Sequence, residues 1–185
     1  MNTINQFLFK SKFVEGTIIL LATILSLLFS LLVKNILLIG ETRFQLENKY
    51  YSKTNVDRLL FVYKEKKVLP IAYIMFCKSL FTILWFFTIV GGFIKFYSYR
   101  MIPYILAEHP NISRTEVFLL SDEMMKGNKW NTFSLDVSFW GWHILSALTF
   151  GLLRHLYVNP FMGATYAELY YTLRSNIIEK NEPMA

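Results

Sequence analysis

Ten polar side chains stand inside otherwise apolar sequence, and several are spaced to meet on a helix: Glu41, Arg43, Lys95, Tyr99, Arg100, Tyr104, Glu108, Asp136, His143 and Glu168. Arg100, Tyr104 and Glu108 follow an i, i+4, i+8 pattern and share one helix face. Lys95 and Tyr99, Arg43 and Glu47, and Glu41 and Gln45 are i, i+4 neighbours. Asp136 and His143 lie seven residues apart, again on one face, and Glu168 sits among Tyr166, Tyr170 and Tyr171. Pro103 has no amide hydrogen to offer the carbonyl of Tyr99, which frees an acceptor beside Arg100. In lipid each charge costs at least about 2.5–3.5 kcal/mol, so each needs a partner or a task. One reading is a polar cavity lined by Arg43, Lys95, Arg100, Asp136 and Glu168, able to bind an ion, a peptide or a lipid head group. The other is structural: Glu41, Glu47, Asp136 and Glu168 neutralise the cations and lock the helices together.

Catalytic and metal signatures do not appear in the chain. There is no His-Glu-x-x-His, Cys-x-x-Cys, Gly-x-Ser-x-Gly or P-loop, and the three His residues lack ligand spacing. No catalytic residue, metal ligand or cofactor is therefore expected. Cys77, the one cysteine, reads as a buried inert thiol. Lys78, in the middle of an apolar run, reads as a structural residue that snorkels to the cytoplasmic interface.

The elements that must position these residues are membrane helices. The 185 residues are 54% hydrophobic and 17% aromatic, with mean hydropathy +0.36. Only 17% are charged, against about 25% in a soluble domain. That payload excludes disorder. The net charge of +6 does not form a single stripe, so a nucleic-acid partner is not expected. Gly16–Val33 is uncharged and long enough to span, and it reads as a retained helix, not a cleaved signal. Val68–Val90 and Trp130–Phe150 are further long runs, each followed by a more polar, Tyr-rich segment. The expectation is an all-α integral membrane protein, one membrane domain over residues 1–185. Six membrane helices form three hairpins: Gly16–Val33 with Ile36–Tyr50, Val68–Val90 with Phe93–Glu108 turning at Gly91-Gly92, and Trp130–Phe150 with Leu152–Leu173 turning at Gly151. The likeness of the hairpins suggests a threefold internal repeat. Two amphipathic helices lie between them on the cytoplasmic face. Thr54–Lys64 places Val56, Leu59, Leu60 and Tyr63 on one side. Ser113–Lys126 opens with a capping box, Ser113 and Glu116, lines up Val117, Leu120 and Met124, and stops at Gly127.

Lys and Arg decide the orientation. In this arrangement the N-terminus, residues 49–67, residues 113–129 and the C-terminus hold thirteen basic residues, and the other face holds two, Lys34 and Arg154. The bias places both termini in the cytoplasm, in a multi-pass protein of the cytoplasmic membrane. Its first partner is the lipid bilayer.

The second half of the chain also carries motifs in a fixed order. They read GGFIKFYSYRMIPYILAEHPNIS, SDEMMKGNKW, LDVSFWGW and VNPFMGATYAELY between Gly91 and Tyr170. This stretch resembles a family of bacterial polytopic membrane proteins, mostly Gram-positive, catalogued as domain of unknown function 975. Gly91 stands where its members carry Pro, and His109 where they carry Asn; neither change moves a turn or a helix end. The resemblance covers about half the chain strongly. It implies a six-helix membrane protein and carries over no catalytic residues. A likeness to the membrane domains attached to glycerophosphodiester phosphodiesterases is more remote. The function expected is non-enzymatic: an accessory factor in the handling of, export of or immunity to a peptide or small amphiphile, with a membrane transporter or a peptide as partner. The alternatives are an intramembrane lipid-modifying enzyme and a self-contained small transporter or channel.

Overall fold

Between Gly16 and Gly40 the chain holds no glycine and no proline, so nothing there stops a helix. The computed structural model, which describes residues 2–49 and 56–181, runs helical throughout that stretch. α1 (Asn2–Phe29) passes through a π-helical turn at Ser30–Lys34 into α2 (Asn35–Asn48), and the residues on both sides of the turn keep right-handed helical dihedrals. The first expected hairpin therefore does not form. Ile36–Asn48 continues the apolar helix instead of folding back on it, because Lys34-Asn35 carries charge and polarity but no backbone break. The threefold repeat loses its first unit for the same reason. Tyr50, Lys53 and the start of the Thr54–Lys64 helix lie outside the described residues, as do the side chains of Lys10 and Lys180.

Past this gap a 3-10 turn (Val56–Leu60) leads into the short α3 (Phe61–Lys64). The tighter winding rotates the expected face. Phe61 and Val62 are buried, while Leu60 and Tyr63 are exposed. Gly40 sets this contact, since a Cβ there would run into the backbone carbonyl of Leu59.

α4 (Val68–Phe86) and α5 (Ile89–Ser98) form the second hairpin. Its turn is not at Gly91-Gly92, as expected. The chain reverses at Phe87 and Thr88, where Thr88 is extended (φ −106°, ψ 101°), and both glycines lie in the first turns of α5. Their function is close approach: a Cβ on Gly92 would stand 2.9 Å from the Cα of Phe86. α5 ends at Ser98, and Pro103 sits at the start of α6 (Ile102–Glu108). The broken stretch 99–101 is the kink that the missing amide hydrogen of Pro103 predicts.

α7 (Arg114–Met125) has the expected capping box. The Glu116 amide donates to Ser113 Oγ at 3.3 Å, and the Ser113 amide donates to Glu116 Oε2 at 3.2 Å. Val117 and Met124 are buried, Leu120 packs partly against the core, and Gly127 follows at φ +81°. α8 (Lys129–Ser138) and α9 (Trp140–Leu148) divide the third apolar run at Phe139. The turn then falls at Phe150 and Gly151 (φ 51° and 82°), as the sequence suggests. A π-helical turn (Arg154–Val158) leads into α10 (Asn159–Asn181).

The fold is all-helical among the described residues. The core centres on α6, where Ile102, Ile105, Leu106 and Ala107 are fully buried against Ile36 and Ile39 of α2, Ile71 of α4, Val117 of α7 and Tyr170 of α10. Large hydrophobic side chains along α1, α4 and α9 and at the Phe87 and Phe150 turns stand exposed, which marks a surface made to meet lipid or a partner. Among the described residues two helices are long and apolar enough to cross a membrane, Val14–Asn48 and Val68–Phe86. The six-helix expectation therefore holds only at the level of an all-helical chain with two such helices.

Candidate functional site

The ten polar residues do not converge on one cavity. Three helices, α5, α8 and α10, deliver the tightest group to Arg100 in the α5–α6 break. There Arg100 Nη2 donates to Asp136 Oδ1 at 3.0 Å, and the Tyr97 hydroxyl donates to Asp136 Oδ2 at 2.9 Å. The Tyr166 hydroxyl on α10 also donates to Asp136. The Arg100 guanidinium lies over the Tyr166 ring at 4.5 Å and the Phe96 ring at 5.6 Å. One carboxylate thus serves one cation and two phenols.

A second group joins α2, α6 and α10. Glu47 accepts from Arg43 Nε at 2.6 Å and from Arg58 Nε at 2.9 Å. Arg43 Nη1 also donates to the carbonyl of Ala107 at 2.7 Å, satisfying one of the carbonyls left open at the end of α6. Next to it, Glu108 accepts from the Tyr170 hydroxyl at 2.5 Å and pairs with Arg174 at 2.7 Å. Tyr104 stacks on Tyr170 at 5.8 Å.

The remaining residues go elsewhere. Lys95 faces Asp122 of α7 at 3.9 Å and lies over the Tyr99 ring at 5.4 Å. Lys129 meets the same carboxylate at 3.4 Å. The neighbouring Ser98 hydroxyl, then Lys95 and Lys129, hold the Asp122 carboxyl below the usual carboxylate range, against the opposing effect of partial burial. Glu168 is exposed and pairs with Lys49 at 2.7 Å. Glu41 is exposed and accepts from Gln45 Nε2 at 3.3 Å. The His143 side chain finds no ion pair or hydrogen bond among the described residues, and no group of metal-ligating side chains forms among them.

A cavity of about 550 Å³ does open between α2, α4, the α5–α6 break and α10. Of the ten residues only Arg100 and Tyr104 line it. Thr42, Ser79, Thr82 and Tyr166 contribute hydroxyls, Leu38, Ile83, Phe96 and Pro103 the apolar wall, and Lys78 a second cation. Lys78 therefore turns inward; it does not simply snorkel to an interface. The sequence carried a signal for it, a lone charge at the midpoint of a 19-residue apolar helix. Cys77 beside it is buried, with Arg114 Nη1 at 3.9 Å from its sulfur.

A family model described as "Protein of unknown function (DUF975)" matches residues 2–177. No curated protein and no solved structure matches the chain.

Proposed function

The chain belongs to the family described as protein of unknown function (DUF975), and from that premise we propose that it is a non-enzymatic, multi-pass membrane protein that holds a small amphiphile or a peptide as an accessory to its handling, export or immunity. One observation carries this reading. The carboxylates Asp136 and Glu108 are spent on fixed cations and phenols, while a cavity of about 550 Å³ with an apolar wall and a polar floor stands beside the Asp136 group. That is the volume and chemistry of a ligand pocket. Recovery of the full chain from membranes in mild detergent should bring a defined small molecule or protein partner with it. A chain that comes out empty and alone in every detergent contradicts the proposal.

The helix break at Tyr99–Met101 beside the cavity favours a second reading, a self-contained transporter, since interrupted helices line the substrate sites of such proteins. Flux through vesicles holding the purified chain alone supports it; tight vesicles argue it down.

We place residues 49–67, residues 113–129 and the C-terminus on the cytoplasmic face, where their basic residues belong. A helix unbroken from residue 14 to 48 spans about 50 Å at 1.5 Å per residue. Its ends then lie on opposite faces, which puts Lys10 and Lys12 outside. Labelling of a cysteine at Lys12 by an impermeant reagent added to intact cells supports that placement, and protection of it contradicts it.

A further inference from the structure

The cavity beside the α5–α6 break holds two cations and no acid of its own. Lys78 and Arg100 both line it, and no Asp or Glu does among the described residues. Arg100 spends part of its charge on Asp136, a carboxylate already shared with Tyr97 and Tyr166. Lys78 has no such partner. Its ammonium makes no ion pair and no hydrogen bond with a described residue, although it sits partly buried at the midpoint of an apolar helix. Tyr104 lines the same space, and its hydroxyl likewise finds no hydrogen-bond partner among the described residues. A lone ammonium at that depth costs several kcal/mol unless a counter-charge or water meets it. Leu38, Ile83, Phe96 and Pro103 add an apolar wall beside that ammonium, so a counter-charge carried on an apolar tail matches both parts of the lining.

We infer that this cavity binds the anionic head group, a phosphate or carboxylate, of an amphiphile, with Lys78 as the free cation, Arg100 and Tyr104 as further donors, and the apolar wall taking the first part of the tail. The inference rests on the cavity being a ligand site at all, the reading proposed above. Its added content is the sign of the charge. An ammonium and a guanidinium supply donors only, so a carboxylate or phosphate is accepted and a cationic head group is refused. The same two positive charges disfavour the cationic peptides that a carboxylate-lined cavity would take.

The test uses the full chain in neutral detergent and four probes: dodecyl phosphate, dodecyl maltoside, dodecyltrimethylammonium and inorganic phosphate. Binding is read by native mass spectrometry and by titration calorimetry. Dodecyl phosphate is expected to bind at least about tenfold more tightly than either the neutral or the cationic chain. Lys78→Gln is expected to remove most of that preference, and Lys78→Arg to keep it. Equal binding of all three amphiphiles overturns the charge assignment and leaves the cavity reading standing. No binding of any of them overturns both. Inorganic phosphate binding as tightly as the alkyl phosphate assigns the cavity to a free anion and overturns the amphiphile. An unchanged preference in Lys78→Gln removes Lys78 from the site. Should that variant not fold, loss of the preference in Tyr104→Phe, with Lys78→Arg as the folded control, supports the inference, and retention in it contradicts it.

Discussion

Asp136 receives three donors from three different elements, and this concentration makes it the residue on which the centre of the protein depends. Asp136→Asn keeps an acceptor but loses the charge that holds Arg100. The pair is about one fifth exposed on each side, so the cost falls below that of a fully buried pair. About 1–2 kcal/mol is expected, read as a lower unfolding midpoint in detergent. No loss in midpoint means that Arg100 finds its counter-charge elsewhere. Asp122 is different in kind, because its carboxyl is held below the usual range by Ser98, Lys95 and Lys129. A depressed carboxyl stabilises the fold above its unfolded pKa of about 4, and that contribution is lost as pH falls through the lower folded value. Wild type should therefore exceed Asp122→Asn in stability at neutral pH, and the two should converge in acid below about pH 4. A constant gap across that range contradicts the assignment. At this scale the sequence showed pairs along one helix, such as Arg43 with Glu47. It could not show Asp136 with Tyr97, because the i, i+4 rule says nothing about partners 39 residues away. Lys78 reads from sequence as a snorkelling residue because that is the ordinary fate of a lysine in a membrane helix.

In the α4–α5 hairpin the glycine pair stands near the reversal but serves helix packing and not the turn. Gly91 and Gly92 marked the reversal, but the turn itself is made at Phe87 and Thr88, and the glycines let two helices approach. Gly92→Ala would push a methyl group against the backbone of Phe86. A loss of about 1–3 kcal/mol is expected, measured by thermal unfolding in detergent. A neutral Gly92→Ala returns the role to conformational freedom in a turn. The capping box of α7 and the turn at Gly151 were legible because short-range chemistry alone determines them. The first hairpin is absent because Lys34-Asn35 resembles a loop in composition only. Its backbone had no Gly or Pro to break the helix, and composition lost to continuity. The 3-10 start of the Val56–Lys64 segment turned its buried face for a related reason, since the expected face assumed a uniform period of 3.6.

Across the whole molecule, two features hold together among the described residues: two helices long and apolar enough to cross a membrane with many large hydrophobic side chains exposed, and polar side chains sorted into separate ion-pair groups around an apolar core, one group beside the open cavity at the α5–α6 break. Low charge and high hydropathy made the first legible from composition alone. The second depends on which helices pack together, and that is settled by Gly40, Gly92 and the α6 core, features of packing with no periodic signal. The central claim is that this cavity, and not merely the lipid-facing surface, holds an amphiphile. It is tested most directly by a photoreactive p-benzoylphenylalanine in place of Phe96, which lines the cavity and is 40% exposed, compared with the same group in place of Phe87, which lies away from the cavity and is 85% exposed. After illumination in membranes, mass spectrometry should find one anionic amphiphile enriched on the cavity position and the bulk lipid mixture on the exposed one. The same lipid profile at both positions would contradict the account.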